Sequence, residues 1–307
     1  MLGAGAIGSL YGAKLAGSNA VTLVGNAAHV AAIKREGLRV DGCEELHVRV
    51  RAEERLEKIA PHTLLLLATK VTDTRNALAP LASLVRRDTT ILCLQNGIGI
   101  EQLAREALGS GGIVLRAIPH GGALFREPGA ITWMTRGETV IEQHERSAKI
   151  VAAFNQAGLE ARESPHLAAD VWHKLVINCV VNPITAILGC EVKGIVDPGL
   201  DPLKQLVIDE CLAVAAAEGV SLGGALLQHI NIFFAASGNI ASMQQDLRRG
   251  RPTEIGYLNG AVVALGAKHG IGCPVNAALT AIIKAMEAGR RHGLRPEEMF
   301  EPQLRQS

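Results

Sequence analysis

In the run from Trp172 to Pro183, the residues Lys174, Asn178 and Asn182 recur at every fourth position. At helical spacing this places one ammonium and two carboxamides on a single face of an otherwise apolar segment. Polar groups rarely enter such a segment without partners, because burying them unpaired is costly. A lysine so placed can donate a proton and stabilise negative charge developing on an oxygen. Neutral carboxamides can bind a hydroxyl or a carboxylate without adding charge of their own. Far upstream the chain reads Gly3-Ala4-Gly5-Ala6-Ile7-Gly8. Glycines spaced in this way let a backbone turn tightly and approach a pyrophosphate, which then rests on a helix N-terminus. A nucleotide loop in one half and a buried lysine in the other predict redox chemistry in a cleft between two domains.

The glycine pattern alone is weak, but an amphipathic run (7–15) and a strand pattern follow it, as a dinucleotide fold requires. Gly3, Gly5, Ala6, Ile7 and Gly8 are therefore candidate cofactor contacts. Only Met1 and Leu2 precede the loop, which normally follows a full central strand, so a truncated or misassigned start is expected rather than a sheet lacking most of its first strand. The next strand ends in Leu23-Val24-Gly25-Asn26, without the carboxylate that grips a ribose 2′-hydroxyl. Its absence admits a 2′-phosphate and hence NADP, with Asn26 beside it. Lys70, just past the apolar run 62–69, is a cation that can reach such a phosphate; its competing reading is a solvated strand-end lysine. Asn96-Gly97 closes another strand at the edge where ligands of open α/β sheets collect, and Asn96 is read as a contact to cofactor and substrate.

The elements that must position these residues fall into two textures. Through residue 164, short apolar runs alternate with helical patterns: strands over 20–24, 62–69 and 90–94, and helices over 27–36, 72–85 and 100–108. Strand-like pieces follow at 113–118, 122–125, 130–135 and 139–142, then a helix over 145–157 and a strand over 160–162. That rhythm predicts a parallel sheet covered by helices. From Ser164-Pro165, where a serine and a proline can open a long helix, only helical patterns remain: 166–188, 202–218, 222–236, 240–249, 254–269 and 275–287. The expected fold is α/β, a Rossmann-type parallel-sheet domain (1–164) followed by an all-α domain (165–307). Pro183 should bend the first of those helices. The mostly polar tail after Gly289 reads as loosely held.

Composition narrows the class. The 31 basic and 30 acidic residues nearly cancel, so no global field draws the chain to nucleic acid or anionic lipid. Aromatics are 3% of the chain, too few for base-stacking platforms. Six cysteines lack any C-x-x-C pair, which fits reduced thiols in a cytoplasmic protein. No apolar run reads as a membrane span and no leader pattern precedes the glycine loop, so a soluble protein is expected. The histidines and carboxylates show no metal-ligand spacing, and no metal is expected. Apolar helices in the second half offer a surface for a homodimer, although no patch singles it out.

Near the end, Ser242-Met243-Gln244-Gln245-Asp246 leads to Thr253-Glu254-Ile255 and Asn259-Gly260. Singly, Glu254 is a helix-start carboxylate capped by Thr253, and Asp246 an ordinary helix residue. Together with the glycine loop, Lys70, Asn96-Gly97, His120 and the 172–186 helix, they resemble the ketopantoate reductase (2-dehydropantoate 2-reductase) family over essentially the whole chain. The resemblance implies NADPH-dependent reduction of 2-dehydropantoate to (R)-pantoate, with a small-molecule substrate. It implies Lys174 as general acid, Glu254 holding substrate and lysine, and Asn96, Asn178, Asn182 and Ser242 at the substrate. Two positions depart from the family pattern. Asn26 stands where many members carry an arginine, and Val192 where an asparagine is common. Two other readings stay open: a reductase for another small 2-keto acid, and a non-catalytic NADP-sensing protein, against which Lys174 and Glu254 argue.

Overall fold

A computed structural model describes residues 1–291; the rest of the tail, read above as loosely held, lies outside the described residues. Chain packing separates two compact units, Met1–Asp170 and the part from Val171 onward.

The first unit is built on parallel strands. Helix α1 (Ala6–Leu15) follows the glycine loop, then β1 (Thr22–Val24), α2 (Ala27–Glu36), β2 (Leu38–Gly42), β3 (Leu46–Val48), β4 (Arg51–Glu53) and β5 (Leu64–Leu67). A short helix α3 (Thr74–Leu78), flanked by 3-10 turns, leads to β6 (Thr90–Cys93), α4 (Ile100–Leu108) and β7 (Ile113–Pro119). The unit continues through β8 (Gly122–Glu127), β9 (Ala130–Thr135), β10 (Thr139–Glu142), α5 (Ser147–Gln156) and β11 (Ala161–Ser164). Strands β5, β6 and β7 pair in parallel, β10 joins β7 antiparallel, and β11 joins β10 in parallel. On the other side β1 pairs in parallel with β4.

Leu2 alone joins these two halves. It bridges Val24 and Leu67 in parallel, its N–H donating to the Leu66 carbonyl and its carbonyl accepting from Ala68, both at 2.8 Å. The Met1 carbonyl accepts from Val24 N, also at 2.8 Å. Leu2 thus occupies the central position of the sheet and pairs with the edges on both sides.

The sequence did not reveal β2, β3 and β4. Their residues are short, charged and Gly-flanked, so period-2 alternation has no room to show. β2 and β3 join β8 and β9 in a separate sheet of order β3-β2-β9-β8, which packs on α1. That explains why α1 is buried on nearly every side, from Gly8 to Ala13 and at Leu15. The expected helix over 72–85 is broken near Ala79-Pro80 into the short α3 and a 3-10 turn, because Pro80 has no N–H to continue it.

The second unit is helical: α6 (Leu167–Leu188), α7 (Asp201–Ala217), α8 (Leu226–Phe234), α9 (Ser242–Arg248), α10 (Asn259–Lys268) and α11 (Pro274–Arg291). By length and mean hydropathy α6 is able to cross a membrane, contrary to the reading that no run could. More than half of that apolar window is buried inside the protein, and α6 is the core helix of its unit. Pro183 lies within it and removes the backbone donor that would serve the Cys179 carbonyl four residues earlier. Asn259 supplies a replacement, its Nδ2 donating to the Cys179 carbonyl at 3.0 Å. The same Nδ2 reaches Asn276 Oδ1 (2.9 Å), and Asn276 Nδ2 donates to Glu210 Oε2 (2.7 Å). Asn259 and Asn276 are fully buried. One polar thread therefore joins α6, α10, α11 and α7.

This predicts a compensating pair. Asn259→Ala should cost about 2 kcal/mol in chemical denaturation, because it leaves a buried carbonyl bare. Pro183→Ala restores an N–H at position 183, so it should recover part of that loss in the double variant; simple additivity would refute the pairing.

Candidate active site

The cofactor candidates meet at one sheet edge for a topological reason. Leu2, β1, β5 and β6 are adjacent and parallel, so their C-terminal ends lie together. From those ends emerge the glycine loop, Asn26, Lys70 and Asn96. The chain builds outward one way through β1 and β4 and the other way through β5 to β7, so the loop sits at the switch point between them.

Each loop glycine answers a different demand. Gly3 has φ of +93°, and a Cβ there would lie 2.4 Å from the Thr69 nitrogen. At Gly8 a Cβ would lie 2.0 Å from the Gly3 carbonyl oxygen, so the helix packs directly on the loop. Gly5 is exposed and faces open space, with no atom within 4 Å of the Cβ it lacks. It is also the N-cap of α1, and no side chain caps that helix. Uncapped N–H groups beside open space are what a pyrophosphate needs, and Ala6 and Ile7 supply the first turn. The residues present fit a dinucleotide.

Asn26 is already employed. Its Oδ1 accepts from His29 N at 2.9 Å and caps α2, which leaves the amide NH2 as its remaining donor group. Lys70 is half-buried where the chain turns from β5 into the 3-10 turn Val71–Asp73. Between Lys70 and Asn96 stands Gln95, a residue not singled out in the sequence. Its Nε2 donates to the Thr69 carbonyl (2.9 Å), Thr69 Oγ1 (3.1 Å) and Thr74 Oγ1 (2.8 Å), clamping the ends of β5 and β6 together. Arg116 is also buried. It donates from Nη2 to the Gly97 carbonyl at 3.0 Å, and its Nε lies 3.5 Å from Glu101. The signal for it was present, an arginine inside the apolar run 113–118.

In the second unit, Lys174 and Asn178 are half-buried on α6 and Asn182 is buried at 8% exposure. Glu254 is buried as well, but it stands before a separate 3-10 turn (Ile255–Tyr257) rather than in the first turn of a continuous helix. Leu258, with φ of −107° and ψ of −104°, breaks the path before α10 begins. Thr253 Oγ1 accepts from Ile255 N at 3.2 Å and donates to Glu287 Oε1 at 2.6 Å, fixing that turn. Asn259, five residues after Glu254, grips α6 at Cys179, next to Asn178. The two segments that carry the lysine and the carboxylate are thus fastened to each other. Ser242 is exposed at the first position of α9. His173, beside Lys174 on α6, packs its ring edge-on against His229 at 5.4 Å. Val192 is buried, so the departure there places an apolar side chain in the core.

Comparison with known proteins agrees with this architecture. Residues 1–146 match the family described as "Ketopantoate reductase PanE/ApbA", and residues 166–287 match "Ketopantoate reductase PanE/ApbA C terminal". The chain belongs to the ketopantoate reductase family. A relative from Pyrococcus horikoshii named 2-dehydropantoate 2-reductase is 35% identical over 298 residues, covering 94% of this chain and 97% of its own. One of the same name from Vibrio cholerae is 32% identical, again covering 94% and 97%. The crystal structure of a PanE/ApbA family ketopantoate reductase from Ralstonia eutropha has a TM-score of 0.88 at 32% identity, covering 95% of this chain and 98% of that one. D-mandelate dehydrogenase, solved with NADH and anilino(oxo)acetate, has a TM-score of 0.86 at 27% identity, covering 94% and 98%. The fold expected from the sequence, a Rossmann-type domain followed by a helical region, and the family resemblance are both borne out.

The glycine geometry predicts two opposite results. Gly8→Ala should destabilise the protein by several degrees in a thermal melt, because backbone must move. Gly5→Ala, at φ of −78° with free space, should melt like the parent yet bind nicotinamide dinucleotide about tenfold or more weakly. Equal dinucleotide affinity in Gly5→Ala would remove the loop from the binding site.

Proposed function

We propose that the chain reduces 2-dehydropantoate to pantoate with NADPH, as a cytoplasmic enzyme. The observation that carries this reading is the retention of Lys174, Asn178 and Asn182 on one face of α6, fastened through Asn259 to the segment bearing Glu254. When bound, NADPH supplies the hydride that reduces the keto carbon. Lys174 Nζ then has two tasks: its charge stabilises the developing negative charge on the substrate oxygen, and its proton completes the alcohol. In this reading Glu254 holds substrate and lysine together. Asn96, Asn178, Asn182 and Ser242 offer neutral donors and acceptors for the substrate's carboxylate and hydroxyl groups.

For the cofactor, the lack of a carboxylate after β1 supports NADPH, and the cation for its 2′-phosphate is Lys70. Asn26 offers its NH2 group rather than charge. A second reading has a specific observation behind it. The D-mandelate dehydrogenase neighbour was solved with NADH, so a reductase of another 2-keto acid using NADH is the competitor.

A panel of 2-keto acids assayed with NADPH and with NADH separates the two. The expected outcome is the highest kcat/KM for 2-dehydropantoate with NADPH; a larger value for an aromatic 2-keto acid with NADH would overturn it. Lys174→Ala should lower kcat by about 10²- to 10⁴-fold while leaving NADPH affinity nearly unchanged. Parental turnover in that variant would refute the assigned proton donor.

A further inference from the structure

His29 lies in the interior of α2, fully buried, and nothing in the chemistry above calls on it. Its two ring nitrogens nevertheless bind in fixed directions. The backbone N–H of Gly129 can only donate, and it lies 2.9 Å from Nδ1, so Nδ1 must accept. A neutral imidazole then carries its hydrogen on Nε2, which is 3.0 Å from Ser9 Oγ and donates to it. Burial favours that neutral form. The Ser9 hydroxyl, itself fully buried, is left to donate its own hydrogen to the Ala4 carbonyl at 3.3 Å.

The result is a one-way strut running Gly129, His29, Ser9, Ala4. It starts at the β8–β9 turn, where Gly129 has φ of +83°, crosses α2 and α1, and ends between Gly3 and Gly5 of the phosphate loop. The ring is held in place by Phe125, centroid to centroid 4.9 Å. His29 touches the second part of the cofactor region too, since its backbone N–H donates to Asn26 Oδ1. One residue thus links both places from which the dinucleotide would be bound, the loop after Leu2 through its ring and the residue after β1 through its backbone N–H.

We propose that His29 and Ser9 are positioning residues for the dinucleotide, setting the orientation of the Ala4 peptide and through it the pyrophosphate affinity of the glycine loop. This rests on the reading of that loop as the cofactor site. The competing explanation is an ordinary buried histidine satisfying its own polar atoms, which would affect stability alone.

Two substitutions divide the strut at the ring. Asn at position 29 carries an amide near the place of Nδ1, so His29→Asn keeps an acceptor for Gly129 and loses Ser9. Gln carries its amide near the place of Nε2, so His29→Gln keeps a donor for Ser9 and loses Gly129. Ser9→Ala removes the final link and leaves the ring intact. Dissociation constants for NADPH and NADH are measured by nicotinamide fluorescence, alongside thermal melts and kcat at saturating cofactor. The expected result is an affinity about tenfold weaker in Ser9→Ala and His29→Asn, the worth of roughly one buried hydrogen bond, with His29→Gln within about twofold of the parent. Melting temperatures should fall in both His29 variants, and kcat at saturation should stay within about threefold throughout. Parental affinity in Ser9→Ala, or an equal loss in His29→Gln and His29→Asn, overturns the proposal while leaving the cofactor site standing. A parent protein that binds neither dinucleotide overturns both.

Discussion

The Cys179 carbonyl, stripped of its helical partner by Pro183, sets the terms for the second unit. A bare carbonyl in a core costs about 1–3 kcal/mol, so a helix that carries proline at its buried centre must find a donor from elsewhere. Asn259 provides it, and doing so requires Asn259 to be buried, which in turn recruits Asn276 and Glu210. Glu210 closes the thread by accepting from the backbone N–H groups of Val275 and Asn276 at the start of α11. Those donors are the orphans that any helix start presents, so one carboxylate satisfies a helix end and terminates the network together. A lysine on α6 placed by such a thread has its position fixed by several helices rather than by side-chain packing alone.

The first unit meets a different constraint, close approach of backbone to backbone. The glycine loop leaves the sheet after Leu2 and turns into α1 within a few residues. Gly3 meets the Thr69 backbone and Gly8 meets the Gly3 carbonyl, so two of the three glycines are demanded by the protein itself. Gly5 alone is left open. That separation of roles explains why a glycine-rich motif is weak evidence from spacing and strong evidence once the contacts are known.

How much of this was legible in the sequence depended on whether a residue's partner lay nearby along the chain. The helices 27–36 and 100–108 and the strand 130–135 are read to the residue, since apolar period and local caps specify them. The alternation that marks the Rossmann-type half, and the four-residue spacing of Lys174, Asn178 and Asn182, are likewise local patterns. The β2–β4 segment was invisible because its strands are three to five residues long and gain their burial from β9 and β1 rather than from their own pattern. Gln95, Arg116 and His29 escaped for the same reason. Each is a polar residue whose partners lie many positions away, and no spacing rule records such pairs. The continuous helix expected over 254–269 failed at Leu258, where backbone geometry rather than propensity ends the 3-10 turn that follows Glu254.

Two lysines in the same unit occupy different settings. Lys204 is completely buried, and its ammonium donates to the Ile195 carbonyl (2.8 Å) and Asn231 Oδ1 (2.6 Å) and pairs with Asp201 Oδ1 (2.6 Å). An ammonium has three hydrogens, and here all three are committed. Lys204 therefore fastens the 3-10 turn at Val192–Val196 to α7 and α8, its charge balanced by the partly exposed Asp201. Lys174, by contrast, is half-buried on α6. The same residue type is thus a fully committed rivet at Lys204 and a half-buried residue of the α6 face at Lys174.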